Sequence, residues 1–258
     1  MELQAAPGWK TLDFVSDLHL QDSSLRTLQG FIDYLDNTHA NAVFVLGDLF
    51  EFWIGDDWMD APQAAHQRCL DALARAGARL DLHIMRGNRD FLMGPRLMQY
   101  CQARDLPDPT TLVFQGQRIV LSHGDALCTG DTAYLAFRAL SRAASWQSEF
   151  LSVPLAQRVQ RMLELRRQSE ASKSARTIYF DVEADAALAL LRSCSAATLV
   201  HGHTHQPDCH TLDAGHTRWV LSDWDLEAPV PRASVLRLQA GTADAPLHWE
   251  RLAPPGVA

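Results

Sequence analysis

Seven residues spread over most of the chain carry nitrogen or oxygen donors beside glycines or at the ends of apolar runs. They are Asp17 and His19 in SDLHL, Asp48 in LGDLF, Asn88 in RGNRD, His123 in SHGD, and His203 and His205 in HGHTH. None is a thiolate. A carboxylate that bridges two cations, flanked by imidazoles and one amide, suits borderline or harder divalent metals such as Mn²⁺, Fe²⁺ or Zn²⁺. Two such ions, roughly 3.5–4 Å apart, hold a water-derived hydroxide and clamp phosphate oxygens during an in-line displacement. Asp-x-His and Gly-Asp are each common by chance, so the signal lies in their ordered conjunction. Gly47, Gly87, Gly124 and Gly202, next to the donors, allow the close turns that bring separate segments together.

The elements that must position these donors read as alternating strands and helices. TLDFVSD and NAVFVLGD are short β-branched or aromatic runs, each ending at an aspartate, and LRTLQGFIDYLDNT between them has apolar residues at helical spacing, which makes a βαβ unit. APQAAHQRCLDALARAGA reads as a helix closed by Gly77, and LDLHIMRGN and QRIVLSHGD as strands running into polar loops. In LVHGHTHQP three histidines alternate, but Gly202 and Pro207 end the apolar run ATLV as a buried strand and leave the imidazoles on a loop. Residues 131–172 form a mainly helical stretch, VEADAALALLRSC supplies another helix, and HTRWVLSDWD, ASVLRLQA and PLHWERL close the chain as short strands. Loops at the carboxyl ends of strands are where open α/β sheets place their chemistry.

Length and composition set the outer bounds. A chain of 258 residues with 47% hydrophobic content suits one large domain or a domain with a sizeable insertion. No run of about 18 apolar residues spans a membrane, and MELQAAPGWK has no basic-then-apolar leader, which favours the cytosol. Five cysteines without a Cys-x-x-Cys pair argue against a disulfide framework or a thiolate zinc site. The net charge of −8 argues against general nucleic-acid binding. Between Thr132 and Phe180, however, eight basic residues (Arg138, Arg142, Arg158, Arg161, Arg166, Arg167, Lys173, Arg176) face three acidic ones (Glu149, Glu164, Glu170). That excess is either a solvated helical face or a surface for an anionic ligand.

The order Asp-x-His, Gly-Asp, Gly-Asn, His-Gly-Asp, Gly-His-x-His resembles that of the calcineurin-like metallophosphoesterases. LGDLFEFWIGDD, RGNRDFLMG, SHGDALCTGD and HGHTHQP are closely similar to the UDP-2,3-diacylglucosamine diphosphatases of lipid A synthesis, and the likeness covers residues 11–225. The resemblance implies an α/β fold, a metallophosphoesterase β-sandwich flanked by helices, as a single domain over 1–258 with a helical lid inserted at 131–178. It implies Mn²⁺-dependent cleavage of the UDP-linked lipid to UMP and 2,3-diacylglucosamine 1-phosphate, water attacking the α phosphorus. It also implies a peripheral place on the cytoplasmic face of the inner membrane, with no nucleic-acid or protein partner. One of two Mn²⁺ ions would sit on Asp17, His19, Asp48 and His205, the other on Asp48, Asn88, His123 and His203. Asp48 would bridge, and His201 would be structural or support a ligand.

By the same resemblance Asn88, Arg89, Asp131, Ser169, Lys173, Arg176 and His203 would contact substrate, with Asn88 and Arg89 catalytic. Many metallophosphoesterases have histidine after Gly-Asn, where it protonates or stabilises an alkoxide; here Arg89 stands there. An arginine is no proton donor near neutrality, but it pairs bidentately with phosphate, which fits a diphosphate whose leaving group is already a stable anion. Ser169, Lys173 and Arg176 share a helical face at i, i+4 and i+7, although two of the three differ in type from the family's residues. Asp131 is also placed to cap the helix TAYLAFRAL. Leu135, Phe137, Leu140, Trp146, Phe150, Leu151, Val153 and Leu155 are either core or the wall of an acyl groove. The alternatives are a metal-dependent phosphoesterase acting on a soluble nucleotide or other phosphodiester, and a scaffold without activity.

Overall fold

The computed structural model describes residues 1–174, 180–242 and 247–254. The chain runs β1 (Glu2–Gln4), β2 (Thr11–Val15), α1 (Leu25–Asn37), β3 (Ala42–Leu46), α2 (Ala64–Gly77), β4 (Asp81–Met85), α3 (Pro95–Tyr100), β5 (Arg104–Leu106), β6 (Thr110–Phe114) and β7 (Gln117–Ser122). Three helices follow, α4 (Thr132–Ser141), α5 (Ala144–Ser152) and α6 (Leu155–Ser174). Then come α7 (Ala184–Ser193), β8 (Thr198–His201), β9 (Cys209–Asp213), β10 (His216–Val220), β11 (Val235–Gln239) and β12 (His248–Leu252).

The strands form two sheets, ordered β12-β11-β2-β3-β4-β5 and β1-β6-β7-β8-β10-β9. In the first, β2 to β5 run parallel; in the second, β7, β8 and β10 run parallel. Alternation along each strand decides the layering. Leu12, Phe14, Phe44 and Leu46 point between the sheets to meet Leu112, Ile119, Leu121 and Val200, whereas Val15, Val43 and Val45 point outward to α1 and α2. Leu28, Phe31, Ile32 and Leu35 of α1, at i, i+3, i+4 and i+7, supply the apolar stripe that covers that outer face. On the far side Ala187 and Leu191 of α7 pack on Val120 and Leu199. The result is helix, sheet, sheet, helix, the flanked β-sandwich expected.

Two features of the sequence find their place here. Phe50, Phe52, Trp53 and Trp58 are buried around His66 under the loop after β3. Asp56 caps α3, accepting hydrogen bonds from the backbone N–H groups of Gly94, Arg96 and Leu97 at 2.8, 2.9 and 3.1 Å, and Asp57 pairs with Arg158 of α6. All five cysteines are free thiols. Among the described residues, no helix is long and apolar enough to cross a membrane.

Helices α4 to α6 dock by inward-turned arginines and aromatic packing. Arg158, 1% exposed, donates to the carbonyls of Ile54 and Val153 as well as to Asp57. Arg138 donates to the buried Asp125 at 2.8 Å, and Trp146 stacks on Phe150 and meets Phe91. Phe137, Leu140, Leu151 and Leu163 stay exposed on the same helices.

Candidate metal centre

The seven donor residues lie just beyond the carboxyl ends of five parallel strands. Asp17 and His19 follow β2, Asp48 follows β3, Asn88 follows β4, His123 follows β7, and His203 and His205 follow β8. Each parallel strand ends on the same side, so its loop is delivered to one edge of the sandwich. Five of the seven, Asp17, His19, Asp48, His203 and His205, adopt left-handed backbone with φ between 49° and 68°. That conformation costs non-glycine residues of order 1–3 kcal/mol each and persists where the surroundings over-determine it. Two glycines make the convergence possible by lacking a side chain: a Cβ on Gly87 would stand 2.1 Å from Asp48 Oδ1, and one on Gly202 would stand 2.3 Å from Asp17 Oδ2.

The donors form one continuous string of close contacts. His205 Nε2 is 3.3 Å from Asp17 Oδ1 and 3.3 Å from His19 Nε2. His19 Nε2 is 4.0 Å from Asp48 Oδ2, whose other oxygen is 3.7 Å from His123 Nε2. Asn88 Oδ1 then receives both His123 Nε2 at 2.9 Å and His203 Nδ1 at 2.8 Å. Asp17, His19 and His205 form one compact ligand group, and Asp17, Asp48 and His123 another.

The electrostatics of the site set buried carboxylates among imidazoles that shift in opposite directions. Burial opposes ionisation of Asp17, but the His205 hydrogen bond and the charges of His205, His123 and His19 outweigh it and hold the carboxyl well below the usual range. Its Oδ1 is buried and meets His205 Nε2 only at a long 3.3 Å, which leaves acceptor capacity of the kind a cation satisfies. Burial pushes His19 and His203 down to about 4, leaving neutral imidazoles with lone pairs to offer. His123 goes the other way, to about 9, because the Asp48, Asp17 and Asp125 charges overcome its burial. An all-nitrogen-and-oxygen set with two buried carboxylates and a buried, under-satisfied acceptor fits a divalent metal.

Around this string sit residues that the motifs did not single out. Glu51 holds His19 Nδ1 at 3.0 Å and Arg89 at 3.3 Å. Asp223, gripped by Arg232 at 2.8 Å, lies 3.9 Å from His205 Nδ1. Asp90 is fully buried and accepts from the backbone N–H groups of Gly87 at 2.7 Å and Leu49 at 2.8 Å, tying two donor loops together. Asp90 and Glu51 were visible only as the acids in RGNRD and LFEF, with nothing in their spacing to name their partners.

The remaining sequence-derived site residues fall in different places. Arg89 is on the rim, its backbone N–H donating to Asp48 Oδ1 at 2.8 Å. His201 lies outside the string of donors: its Nδ1 is 2.8 Å from the Gly202 carbonyl and burial takes the ring down to about 3. Asp131 caps α4, accepting from Tyr134 N at 3.1 Å, so the capping role is present in the geometry. Ser169 and Lys173 fall in the carboxyl-terminal half of α6, and Arg176 lies outside the described residues.

A two-sheet sandwich that gathers two carboxylates, an amide and four imidazoles at its strand ends defines a metal-dependent phosphoesterase. The family model of the calcineurin-like phosphoesterases matches residues 10–207, and the chain belongs to that family. It is 42% identical over 245 residues to a UDP-2,3-diacylglucosamine hydrolase of Ralstonia nicotianae, covering 90% of each chain. It is 46% identical over 217 residues to the enzyme of that name from Chromobacterium violaceum, covering 83% of this chain and 90% of the relative. Among solved structures, a dimetal phosphatase from Danio rerio matches at 16% identity over 89% of this chain and 92% of the other, with a TM-score of 0.48.

Proposed function

We propose that the protein hydrolyses the diphosphate bond of UDP-2,3-diacylglucosamine, releasing UMP and 2,3-diacylglucosamine 1-phosphate for lipid A synthesis. The observation that carries this reading is the full-length similarity to hydrolases of that substrate, together with a complete donor string and an arginine, not a histidine, after Asn88.

Asp17, His19, Asp48 and His205 would hold one Mn²⁺, and Asp48, Asn88, His123 and His203 the other. When bound, such ions neutralise phosphate oxygens and lower the pKa of water. The chain's own residues do the rest. Arg89 has five N–H donors, of which the Glu51 contact at 3.3 Å engages part, leaving donors on the rim for a phosphate. Asn88 and His203, joined at 2.8 Å, present polar edges beside it.

The inserted helices are read as a lid. A cavity of about 510 Å³ between α5 and α6 is lined by Trp146, Phe150 and Leu165 with Arg161, Glu149, Glu164 and Gln160, and the exposed Phe137, Leu140, Leu151 and Leu163 extend the apolar surface. Each acyl CH₂ moved from water onto such a surface contributes about 0.8 kcal/mol. Lys173 and Arg176 would add attraction for an anionic membrane surface, about 1 kcal/mol each and weakened by salt, supporting peripheral attachment to the inner membrane.

The test is a product assay with Mn²⁺ on UDP-2,3-diacylglucosamine beside UDP-glucose, bis-p-nitrophenyl phosphate and a phosphopeptide. Release of UMP from the diacyl substrate at a kcat/KM far above the others is expected. Equal or greater efficiency on a soluble substrate would replace this reading with a soluble phosphodiesterase.

A further inference from the structure

Glu51 touches both a donor of the candidate metal centre and the arginine proposed to bind phosphate. Its backbone N–H donates to the Leu20 carbonyl at 3.2 Å, and a bridge between Leu20 and Phe50 lays the loop after β3 along the loop after β2. The side chain is thereby fixed at 13% exposure between two loops. Its Oε2 lies 3.0 Å from His19 Nδ1, and its Oε1 lies 3.3 Å from an Arg89 guanidinium nitrogen.

The chemistry of His19 gives that contact a direction. Nε2 is the nitrogen that faces His205, Asp17 and Asp48. To offer Nε2 as a lone pair the ring must carry its proton on Nδ1, and the Glu51 carboxylate is the charged group that meets that atom, as a 3.0 Å ion-pair contact rather than an aligned hydrogen bond. A carboxylate there selects the tautomer, fixes the ring angle and raises the basicity of the other nitrogen. The other imidazoles are backed differently. His123 Nδ1 is 2.9 Å from the Leu46 carbonyl, and the Asp223 carboxylate, 3.9 Å from His205 Nδ1, is held by Arg232, which lies on another loop from Arg89.

We infer that Glu51 is a positioning residue that serves two sites at once, orienting His19 towards a bound cation with one oxygen and aiming Arg89 at the diphosphate with the other. The inference rests on the proposed function for the role of Arg89, and on the donor geometry alone for the role of His19. Occupancy of the cation site and the placement of the phosphate-binding arginine then depend on a single carboxylate.

Glu51→Gln tests this with little change in volume. The amide removes the negative charge that faces both His19 and Arg89 and turns one of the two acceptor oxygens into a donor, so both contacts are weakened. Calorimetric titration of the metal-free protein with Mn²⁺ should show one of two sites weakened 10- to 100-fold and the other within two-fold of wild type. Glu51→Asp, which keeps the charge on a shorter arm, should recover part of the loss. The kinetic arm is a double-mutant cycle with Arg89→Ala at saturating metal. Glu51→Gln should lower kcat at least five-fold with Arg89 present and less than two-fold without it, whereas the Mn²⁺ weakening should persist in both backgrounds. Mn²⁺ binding within two-fold of wild type at both sites, or an equal kcat loss in the two backgrounds, overturns the inference. If wild type cleaves bis-p-nitrophenyl phosphate and not the diacyl substrate, the proposed function has failed, while the Mn²⁺ titration still reads the Glu51–His19 contact.

Discussion

The Arg142 guanidinium donates to the backbone carbonyl of Gly87 at 2.8 Å, so the connection between α4 and α5 holds the loop that presents Asn88 and Arg89. The same guanidinium lies 5.0 Å from the centre of the Phe91 ring. With Arg138 on Asp125 and Arg158 on Asp57, three of the basic residues that make the segment stand out are turned towards the protein. Part of its charge excess is therefore a means of docking; of the five remaining basic residues, Arg161, Arg166, Arg167, Lys173 and Arg176, Lys173 and Arg176 are the two proposed to meet an anionic ligand.

Arg142→Ala removes a charged donor from a partly buried acceptor, a loss of about 1.5–3 kcal/mol. Residues 132–174 should become cleavable by protease at lower enzyme concentration, and KM for the diacyl substrate should rise, with bound metal unchanged. Wild-type protease resistance would show that the contact does not hold the helices in place.

Asp48 lies within 4.0 Å of His19 on one side and 3.7 Å of His123 on the other. Asp48→Ala should abolish activity and lower bound metal at both sites, as measured by elemental analysis after dialysis. His201→Ala should keep its metal while losing stability, because it opens a cavity beneath the loop. Full activity in the Asp48 variant would exclude it as a shared ligand.

Arg89→Ala should lower the rate constant more than ten-fold with normal metal content, since charge-stabilising contacts of this kind contribute about 3–4 kcal/mol in the transition state. Wild-type kinetics on the diacyl substrate would remove Arg89 from the site.

Gly87→Ala places a methyl group where Asp48 Oδ1 and its backbone nitrogen already stand, at 2.1 and 2.3 Å. Far-ultraviolet circular dichroism should stay near wild type while metal binding and activity fall together. Retained Mn²⁺ affinity would mean that the two loops separate freely.

His83 stacks on Phe44, with ring centres 4.7 Å apart, and both its ring nitrogens are buried without hydrogen-bond partners. Burial, helped by Arg104, takes it from 6.5 down to about 4. The unfolded chain takes up a proton below 6.5 while the folded ring stays neutral until about 4, so stability is complete above that range and declines as pH falls through it. At pH 5 the loss from this one ring is about 2 kcal/mol. Denaturant midpoints of His83→Phe measured at pH 8 and pH 5 should lie closer together than those of wild type; identical separations would show that His83 does not set the acid limb.

The donor string was legible because Asp48, Asn88, His123 and His203 each adjoin a glycine while Asp17, His19 and His205 fall in Asp-x-His and His-x-His spacing, and because the strands ahead of them are apolar enough to read as buried. β6 and β9 were not, since TTLVF follows a proline-rich turn and CHTLD is half-exposed, leaving no alternation to detect. The roles of Glu51, Asp90 and Asp223 were not legible either. Each works on a partner brought near by tertiary folding, and an acid next to a strand end is also what a solvated loop contains. The inward turn of Arg138, Arg142 and Arg158 was hidden for a related reason: charge counted along a helix does not say which face meets the protein.

The two proposed ligand sets each draw on both sheets. Asp17, His19, Asp48 and Asn88 hang from the sheet containing β2, β3 and β4, whereas His123, His203 and His205 hang from the sheet containing β7 and β8. A cation bound there is a cross-link between the two halves of the sandwich, closed only when both are folded and packed. At a free concentration one hundred times its dissociation constant, each such ion adds about 2.7 kcal/mol to the folded state by mass action. On this proposal chelators would lower the stability of the fold as well as turnover, and added cation would offset a core substitution far from the site.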